Sequence, residues 1–244
     1  MKLLKLFCVG CGPGDPELLT IRALNLIKEA DVIFVPTSKL NKPSIALSIV
    51  EKHLKKTTEI INLVFPMIKD RDSLKEYWKK NAFEIAQKVR SGKKTVYLTV
   101  GDPALYSTWI YIHRELKRDY QDIEIEIIPG ITSIFAFAAE AKISLVEGDE
   151  NLSIVPACYD LNKVKNTVKS SDTIVFLKDG RYFDNVIEML SDTGFSDDSK
   201  IAIAQDVSTE ENILEIKSLK DMKGKKQPSS KYFSIMVVKR NDRA

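Results

Sequence analysis

Hydrophobic positions along the first half of the chain alternate between two patterns. A continuous apolar run from Leu3 to Val9 predicts a buried strand, and apolar residues then recur at helical spacing, at positions 18, 21, 24 and 27. The alternation continues with strands predicted near 31–36, 59–63 and in TVYLTVGD (95–102), and helices near 44–53, 72–91 and 107–117. Strands and helices in this order predict βαβ units and a mostly parallel sheet.

The second half has a different pattern. IEIEIIPG (123–130) alternates apolar and acidic residues, which is typical of a strand with one solvent-facing side, and an apolar helix is expected at 134–141. Later strands are predicted near 152–156, 173–177, 200–205, 213–216 and 232–238. Few helices separate the last three strands, so antiparallel or mixed pairing is expected.

A polar run at 117–122, KRDYQD, interrupts the periodicity and predicts a linker. We therefore expect an α/β fold of two domains. Residues 1–118 form an N-terminal α/β domain with a mostly parallel sheet, and residues 119–244 form a C-terminal α/β domain with a mixed sheet.

Charge and composition exclude several classes of protein. The 37 basic and 34 acidic residues of this 244-residue chain leave a net charge of +3, too balanced to predict a nucleic-acid binder. No stretch approaches the ~18 consecutive apolar residues of a membrane span. The apolar N-terminal run passes into a glycine turn rather than a cleavage site, so we expect a cytoplasmic protein without a membrane segment.

Cys8 and Cys11 form a CxxC, which raises the question of metal or redox chemistry. Cys8 belongs to the apolar run, no second CxxC exists, and the two histidines, His53 and His113, are distant in sequence. We expect no metal held by cysteines.

The first turn, VGCGPGDPELLT (9–20), follows a predicted strand and precedes a helix. A dinucleotide site is disfavoured, because Asp15 stands where the third glycine would precede a pyrophosphate. No Gly-Lys-Ser/Thr follows, which excludes a P-loop. A Rossmann-like methyltransferase is also disfavoured. In that class an acid at the end of the second strand usually holds the ribose hydroxyls of the cofactor, and the second strand predicted here, near 31–36, ends without one. Asp15 either caps the first helix or faces a substrate.

Two similar turns follow later strands, VGDPALYS (100–107) and PGITS (129–133). Carboxyl ends of parallel strands share one edge of a sheet, where ligands bind in open α/β folds. Thr132 and Ser133 also place hydroxyls and free N–H groups at the start of a helix. The three turns are therefore expected to form one binding rim.

Through VGCGPGDPELLT, GDPALYS and PGITS, and over essentially its whole length, the chain resembles the tetrapyrrole methyltransferases of the cobalamin and siroheme pathways. GDPALYSTWIYI, ISLVEGDENLSIVPA and FLKDGRYFDNVIEML resemble the branch that methylates carbon 20 of precorrin-2 or its cobalt form. The resemblance implies a trough between two α/β domains, a homodimer, S-adenosylmethionine as cofactor and a tetrapyrrole substrate.

The resemblance also implies roles for particular residues. The expected cofactor contacts are Pro13, Val100, Gly101, Asp102, Leu105, Thr132, Ser133, Lys178, Ala204 and Asp206. Other branches carry a methionine near Lys178 and a glycine near Val207, where this chain departs. The substrate carboxylates are expected to meet basic residues drawn from Arg22, Lys39, Lys42, Lys178 and Arg181, with Arg181 favoured. Asp15 and Lys39 complete the expected substrate contacts.

The implied chemistry is attack of a ring carbon on the methyl group of a sulfonium, followed by loss of a proton from that carbon. The enzyme mainly positions the reactants, and a weak base would accept the proton. Candidates are Asp102, Glu147, Asp149 and Tyr106, although Tyr106 is favoured as a wall for the macrocycle. Cobalt, where present, would arrive inside the substrate.

Other functions remain open at this point. The chain could methylate a different tetrapyrrole carbon, such as 4, 11 or 17, or, like other enzymes of this fold class, a protein or RNA. It could also be a non-catalytic tetrapyrrole carrier.

Overall fold

The computed structural model describes residues 4–39, 43–156, 160–178, 182–225 and 234–240, apart from the side chains of residues 161 and 163. The chain divides into two compact units, Met1–Thr132 and Ser133–Ala244. No helix within the described ranges is long and apolar enough to cross a membrane.

The first unit alternates strands and helices throughout. Its elements are β1 (Lys5–Gly10), α1 (Ile21–Glu29), β2 (Val32–Thr37), α2 (Ile45–Val50), β3 (Glu59–Val64), α3 (Arg71–Arg90), β4 (Thr95–Thr99), α4 (Trp109–Asp119) and β5 (Glu124–Ile128). Every strand pair is parallel, in the order β3-β2-β4-β1-β5. The carboxyl ends of β4, β1 and β5 are therefore neighbours, and these three strands precede the three turns.

Helices cover both faces of this sheet, which explains its near-continuous apolar strands. Phe34 and Tyr97 pack with residues of α3 and α4 on one side. Ile33 and Leu98, one position away on the same strands, pack with α1 and α2 on the other. The alternation of side chains along β2 and β4 thus builds two separate hydrophobic layers.

The second unit contains α5 (Ser133–Ala141), β6 (Leu152–Pro156), α6 (Leu161–Ser170), β7 (Thr173–Leu177), α7 (Phe183–Ser191), β8 (Lys200–Gln205), β9 (Ile213–Ser218), α8 (Leu219–Met222) and β10 (Ser234–Lys239). Its sheet has the order β6-β7-β10-β8-β9. β6 pairs with β7 in parallel, while β10 pairs antiparallel with both β7 and β8. The α/β class, with a parallel first sheet and a mixed second sheet, is confirmed.

Two local expectations need correction. The division after Thr132 differs from the boundary expected between residues 118 and 119, because β5 follows the polar run and pairs with β1 in the first sheet. Asp15 caps the short 3-10 helix Pro16–Leu18, accepting from the N–H of Glu17 at 2.8 Å, rather than the first α-helix. Thr20 caps α1, since its hydroxyl accepts from the N–H of Ala23.

Candidate active site

The first and second turns are joined by backbone hydrogen bonds beyond the ends of β1 and β4. The N–H of Cys11 donates to the carbonyl of Thr99 at 2.8 Å. Gly12 and Gly101 form two backbone hydrogen bonds with each other. The N–H of Gly101 donates to the carbonyl of Gly12 at 2.7 Å, and the N–H of Gly12 donates to the carbonyl of Gly101 at 3.3 Å. The two turns therefore form one structure at the edge of the sheet.

The third turn is packed against the other two without space for side chains. A Cβ atom built on Gly130 would lie 2.2 Å from the carbonyl oxygen of Gly101, and one built on Gly10 would lie 2.6 Å from the same oxygen. Gly101 itself has φ +69°, a conformation that glycine adopts without strain. The glycines thus let three backbone segments approach closely.

The carboxylate of Asp102 links the second turn to the third. One oxygen accepts from the N–H of Ala104 at 2.7 Å, and the other accepts from the N–H of Gly130 at 3.0 Å. The side chain is half-buried. Asp102 therefore holds the geometry of the rim and places a negative charge there.

Buried hydroxyls support the second turn from the strand beneath it. The hydroxyl of Thr99 lies 2.8 Å from that of Ser107, which also accepts from the N–H of Trp109 at 3.1 Å. The phenol of Tyr97 lies 3.1 Å from the hydroxyl of Thr108. Burial raises the pKa of the Tyr97 phenol. Sequence reasoning missed these residues, although hydroxyls on both sides of a GDP turn were a signal.

The side-chain oxygen of Thr132 is buried and has no hydrogen-bond partner among the described residues. Thr132 directly precedes Ser133, the first residue of α5. An unpaired hydroxyl at this position can donate to, or accept from, a polar group of a ligand. This orphaned atom and the glycine turns fit the methyl donor expected from the sequence.

Further residues expected at the cofactor site lie on the same turns. Pro13 is buried, while Val100 and Leu105 are half-buried. Tyr106 has φ 49° and is 43% exposed, and partial burial raises the pKa of its phenol. A large, exposed ring held in a strained conformation suits contact with a flat ligand.

In the second unit, predicted cofactor residues cluster at one end of the sheet. β7 and β8 run in the same direction, because both pair antiparallel with β10, so Lys178 and Asp206 follow strand ends at the same edge. Both have positive φ, 63° and 49°. Burial lowers the pKa of the Lys178 ammonium group, and Ala204 is buried in β8.

The predicted substrate and proton-transfer residues have varied surroundings. Glu147 is exposed in the loop before β6, with a carboxylate oxygen 3.5 Å from the ammonium nitrogen of Lys239. Lys39 is exposed, and its backbone carbonyl accepts from the hydroxyl of Thr37. Arg181, with Lys42, lies outside the described residues.

Cys8 and Cys11 are both buried, and burial raises both thiol pKa values, that of Cys11 to about 12. Within the described ranges, no three His, Cys, Asp or Glu residues are grouped in a way that could hold a metal ion.

Comparison with known proteins agrees with this geometry. The sequence profile of the tetrapyrrole (corrin/porphyrin) methylases matches residues 5–223. The chain belongs to this family.

Among related methylases is a probable cobalt-precorrin-2 C(20)-methyltransferase of Methanocaldococcus jannaschii, 39% identical over 236 residues, which are 97% of this chain and 96% of the relative. The cobalt-precorrin-2 C(20)-methyltransferase of Salmonella typhimurium is 31% identical, over 78% of this chain and 79% of the relative. A cobalt-precorrin-4 C(11)-methyltransferase of M. jannaschii is 27% identical, over 96% of this chain and 86% of the relative.

Solved structures of methylases share the fold. An X-ray structure of a cobalt precorrin-4 methyltransferase has a TM-score of 0.76 at 22% identity, covering 97% of this chain and 95% of its own. A uroporphyrin-III C-methyltransferase from Thermus thermophilus, complexed with S-adenyl homocysteine, has a TM-score of 0.63 at 19% identity, covering 96% and 97%. These structures confirm the fold, and the sequence profile with the 39% identical relative confirms the expected family.

Proposed function

We propose that this tetrapyrrole methylase transfers a methyl group from S-adenosylmethionine to carbon 20 of cobalt-factor II or precorrin-2, in cobalamin biosynthesis. Sequence likeness supports the regiochemistry, because the C(20) relative is 39% identical and the C(11) relative 27% over similar shares of this chain. The unpaired hydroxyl of Thr132 carries the proposal for the donor site.

The donor, when bound, supplies an electrophilic methyl group on a positively charged sulfur. The rim of the first unit would hold it through Pro13, Val100, Gly101, Leu105 and Thr132, and Ser133 follows directly at the start of α5. The negative charge of Asp102 favours a cationic ligand at this rim and disfavours a phosphate. In the second unit, Lys178, Ala204 and Asp206 stay predictions for donor contacts.

We assign Asp102 a positioning role rather than that of proton acceptor, because each of its oxygens already accepts a backbone N–H. Tyr106 serves as a wall for the macrocycle, because its ring is exposed and the raised pKa keeps the phenol protonated, so that no phenolate is present to accept the proton. Glu147 and Asp149 stay candidates for the proton acceptor. Asp15 stays a predicted contact with the substrate, and Lys39 and Arg181 stay predicted partners of its carboxylates. The homodimer also stays a prediction, which light scattering tests.

The test is anaerobic incubation of the purified protein with methyl-labelled S-adenosylmethionine and one of three substrates: cobalt-factor II, metal-free precorrin-2 or cobalt-precorrin-4. Mass spectrometry counts the added methyl groups, and NMR locates them. One methyl at carbon 20 of either early substrate is expected, and the faster of the two substrates identifies the route. Methylation of cobalt-precorrin-4 at carbon 11 would instead support the second candidate function, and the carrier hypothesis would need donor-independent substrate binding without transfer.

A further inference from the structure

The turn after β8 is held in an unusual conformation. Asp206 and Ser208 have φ values of 49° and 60°, in the left-handed region that non-glycine residues seldom occupy. Each such residue costs on the order of 1 kcal/mol, and strained residues of this kind cluster where a fold holds a ligand. Something in the surrounding structure must therefore stabilise this turn.

Part of that support lies within the turn. The N–H and the hydroxyl of Thr209 both donate to the carbonyl of Asp206, at 3.2 and 2.7 Å. The N–H of Asn212 then donates to the carbonyl of Thr209 at 3.1 Å. These bonds close the loop on itself, and the pairing of Gln205 in β8 with Ile213 in β9 sets its two ends, but these contacts do not join the loop to a helix.

Glu140, near the end of α5, joins this loop to a helix of the same unit. One carboxylate oxygen accepts from the hydroxyl of Ser208 at 2.6 Å, and the other accepts from the side-chain amide of Asn212 at 2.5 Å. One carboxylate thus forms hydrogen bonds with both ends of the segment 208–212. Hydrogen bonds to an ionised acceptor are about twice as strong as those between neutral groups.

The same helix begins at Ser133, a predicted donor contact, and Glu140 lies seven residues further along. Residues separated by seven positions share one face of a helix, roughly 10 Å apart along its axis. The helix α5 therefore connects Ser133, the last residue of the third turn, with the turn 206–212, which begins at Asp206, two positions after Ala204. This connection lies outside the residues that sequence reasoning selected.

We propose that Glu140 is a positioning residue for the methyl donor, which fixes the strained turn 206–212 against α5. The inference rests on the proposed function, because the turn matters only where Ala204 and Asp206 meet the donor. Glu140 acts through the turn and has no part in the transfer step itself.

Titration calorimetry with S-adenosylhomocysteine tests the proposal without a substrate. Glu140→Ala removes both hydrogen bonds to the turn and is expected to weaken binding by about 10-fold, because part of their free energy would be needed to order the turn around the donor. In the methyl-transfer assay, the KM for the donor should rise similarly while kcat changes little. Glu140→Gln should restore most of the affinity, because its amide oxygen can accept from Ser208 and its amide nitrogen can donate to the oxygen of the Asn212 side chain.

A matched pair of variants separates the hydrogen bond from the backbone strain. Ser208→Ala loses the hydroxyl and keeps the unfavourable φ, whereas Ser208→Gly loses the same hydroxyl but adopts a positive φ freely. Donor binding should therefore weaken more in the alanine variant. Glu188→Ala, which removes an exposed carboxylate on α7, serves as the control and should bind like the wild type.

The outcomes distinguish the two proposals. Wild-type protein that fails to bind S-adenosylhomocysteine would overturn the donor site and this role of Glu140 together. Wild-type binding with unchanged affinity in Glu140→Ala and Ser208→Ala would overturn the role of Glu140 alone. A lower thermal midpoint without any change in affinity would have the same meaning, since Glu140 would then only stabilise the fold.

Discussion

The unpaired hydroxyl of Thr132 leads to two effects of opposite sign. An unsatisfied buried polar group costs about 1–3 kcal/mol in proteins, so Thr132→Val should raise the unfolding free energy of the unliganded protein by about 1 kcal/mol. The same change should weaken S-adenosylhomocysteine binding about tenfold, the value of one hydrogen bond. Urea denaturation and calorimetry measure the two effects. Thr132→Ser keeps the oxygen and should bind like the wild type, and unchanged affinity in Thr132→Val would contradict the donor contact.

The two oxygens of Asp102 predict how an isosteric change affects the rim. Asp102→Asn leaves one oxygen, so the N–H of either Ala104 or Gly130 loses its acceptor. We expect a loss of about 1–2 kcal/mol in unfolding free energy and weaker donor binding, with kcat at saturating donor little changed. Asp198→Asn, on an exposed surface pair with Lys220, is the control and should change little. A large fall in kcat at unchanged donor affinity would assign proton transfer to Asp102 instead.

Glycine is required for two different reasons, close approach of the backbone at Gly130 and a left-handed conformation at Gly148. Gly130→Ala would place Cβ 2.2 Å from a backbone oxygen that cannot move freely, so we expect a loss of about 3 kcal/mol or more. Gly148 has φ +56°, and apart from its two chain neighbours no described residue has an atom within 4 Å of the position that a Cβ would take, so Gly148→Ala should cost only the conformational strain, about 1–2 kcal/mol. Chemical denaturation of both variants measures the difference. Equal losses would mean that the three turns are less tightly packed than described.

The sequence predicted that the three turns meet at one edge of the sheet, but not how single residues hold them together. Glycine and aspartate after apolar strands identified Gly101 and Asp102, because such turns have a recognisable composition. The bond from Gly130 to Asp102 spans 28 positions, and no local pattern encodes it. Helix capping was also misassigned, since Asp15 and Thr20 are both good caps and only the backbone path decides between them.

At the scale of elements, strands were predicted better than their pairing. β6, β7 and β8 begin and end where the apolar runs do, because those runs are bounded by polar or turn residues. The acidic residues of β5 were expected to face solvent. Glu124 is exposed and Glu126 half-buried, and both also pair with Lys5 of the neighbouring strand, at 2.8 and 2.9 Å. Such cross-strand pairing depends on register, which periodicity does not supply.

Arg240 joins the ends of two helices in the second unit. Its guanidinium donates to the carbonyls of Lys169 near the end of α6 and Gly194 after α7, at 3.1 and 2.7 Å, and lies over the ring of Phe195. Arg240→Lys keeps the charge but loses the planar fork that reaches both ends. We expect a loss of about 2–3 kcal/mol in unfolding free energy, measured by chemical denaturation. Arg114→Lys, at an exposed position of α4, is the control and should have little effect, and equal stability of both variants would refute this role of Arg240.

At the scale of the whole molecule, the alternation of strands and helices gave the α/β class, and the concentration of charge at 117–122 gave a boundary. That polar run is the end of α4 and the link to β5, which completes the first sheet. Composition alone does not reveal that another strand of the same sheet follows. The resemblance supplied the family because its motifs are spread over the chain, whereas regiospecificity depends on contacts with the substrate that these motifs do not encode.

Donor binding should also stabilise the whole protein, because a ligand that binds only the folded state adds its binding free energy to stability. S-adenosylhomocysteine at 100 times its Kd should add about 2.7 kcal/mol. For a chain of this size, each kcal/mol raises the thermal midpoint by about 2–4 °C, so we expect a rise of about 5–10 °C in differential scanning fluorimetry. Asp102→Asn, at the same ligand concentration, should show a clearly smaller rise, because its rim is distorted and its affinity lower. An equal rise in both proteins would place the donor away from the three turns, since the hydrogen bond between Asp102 and Gly130 would then not affect its binding.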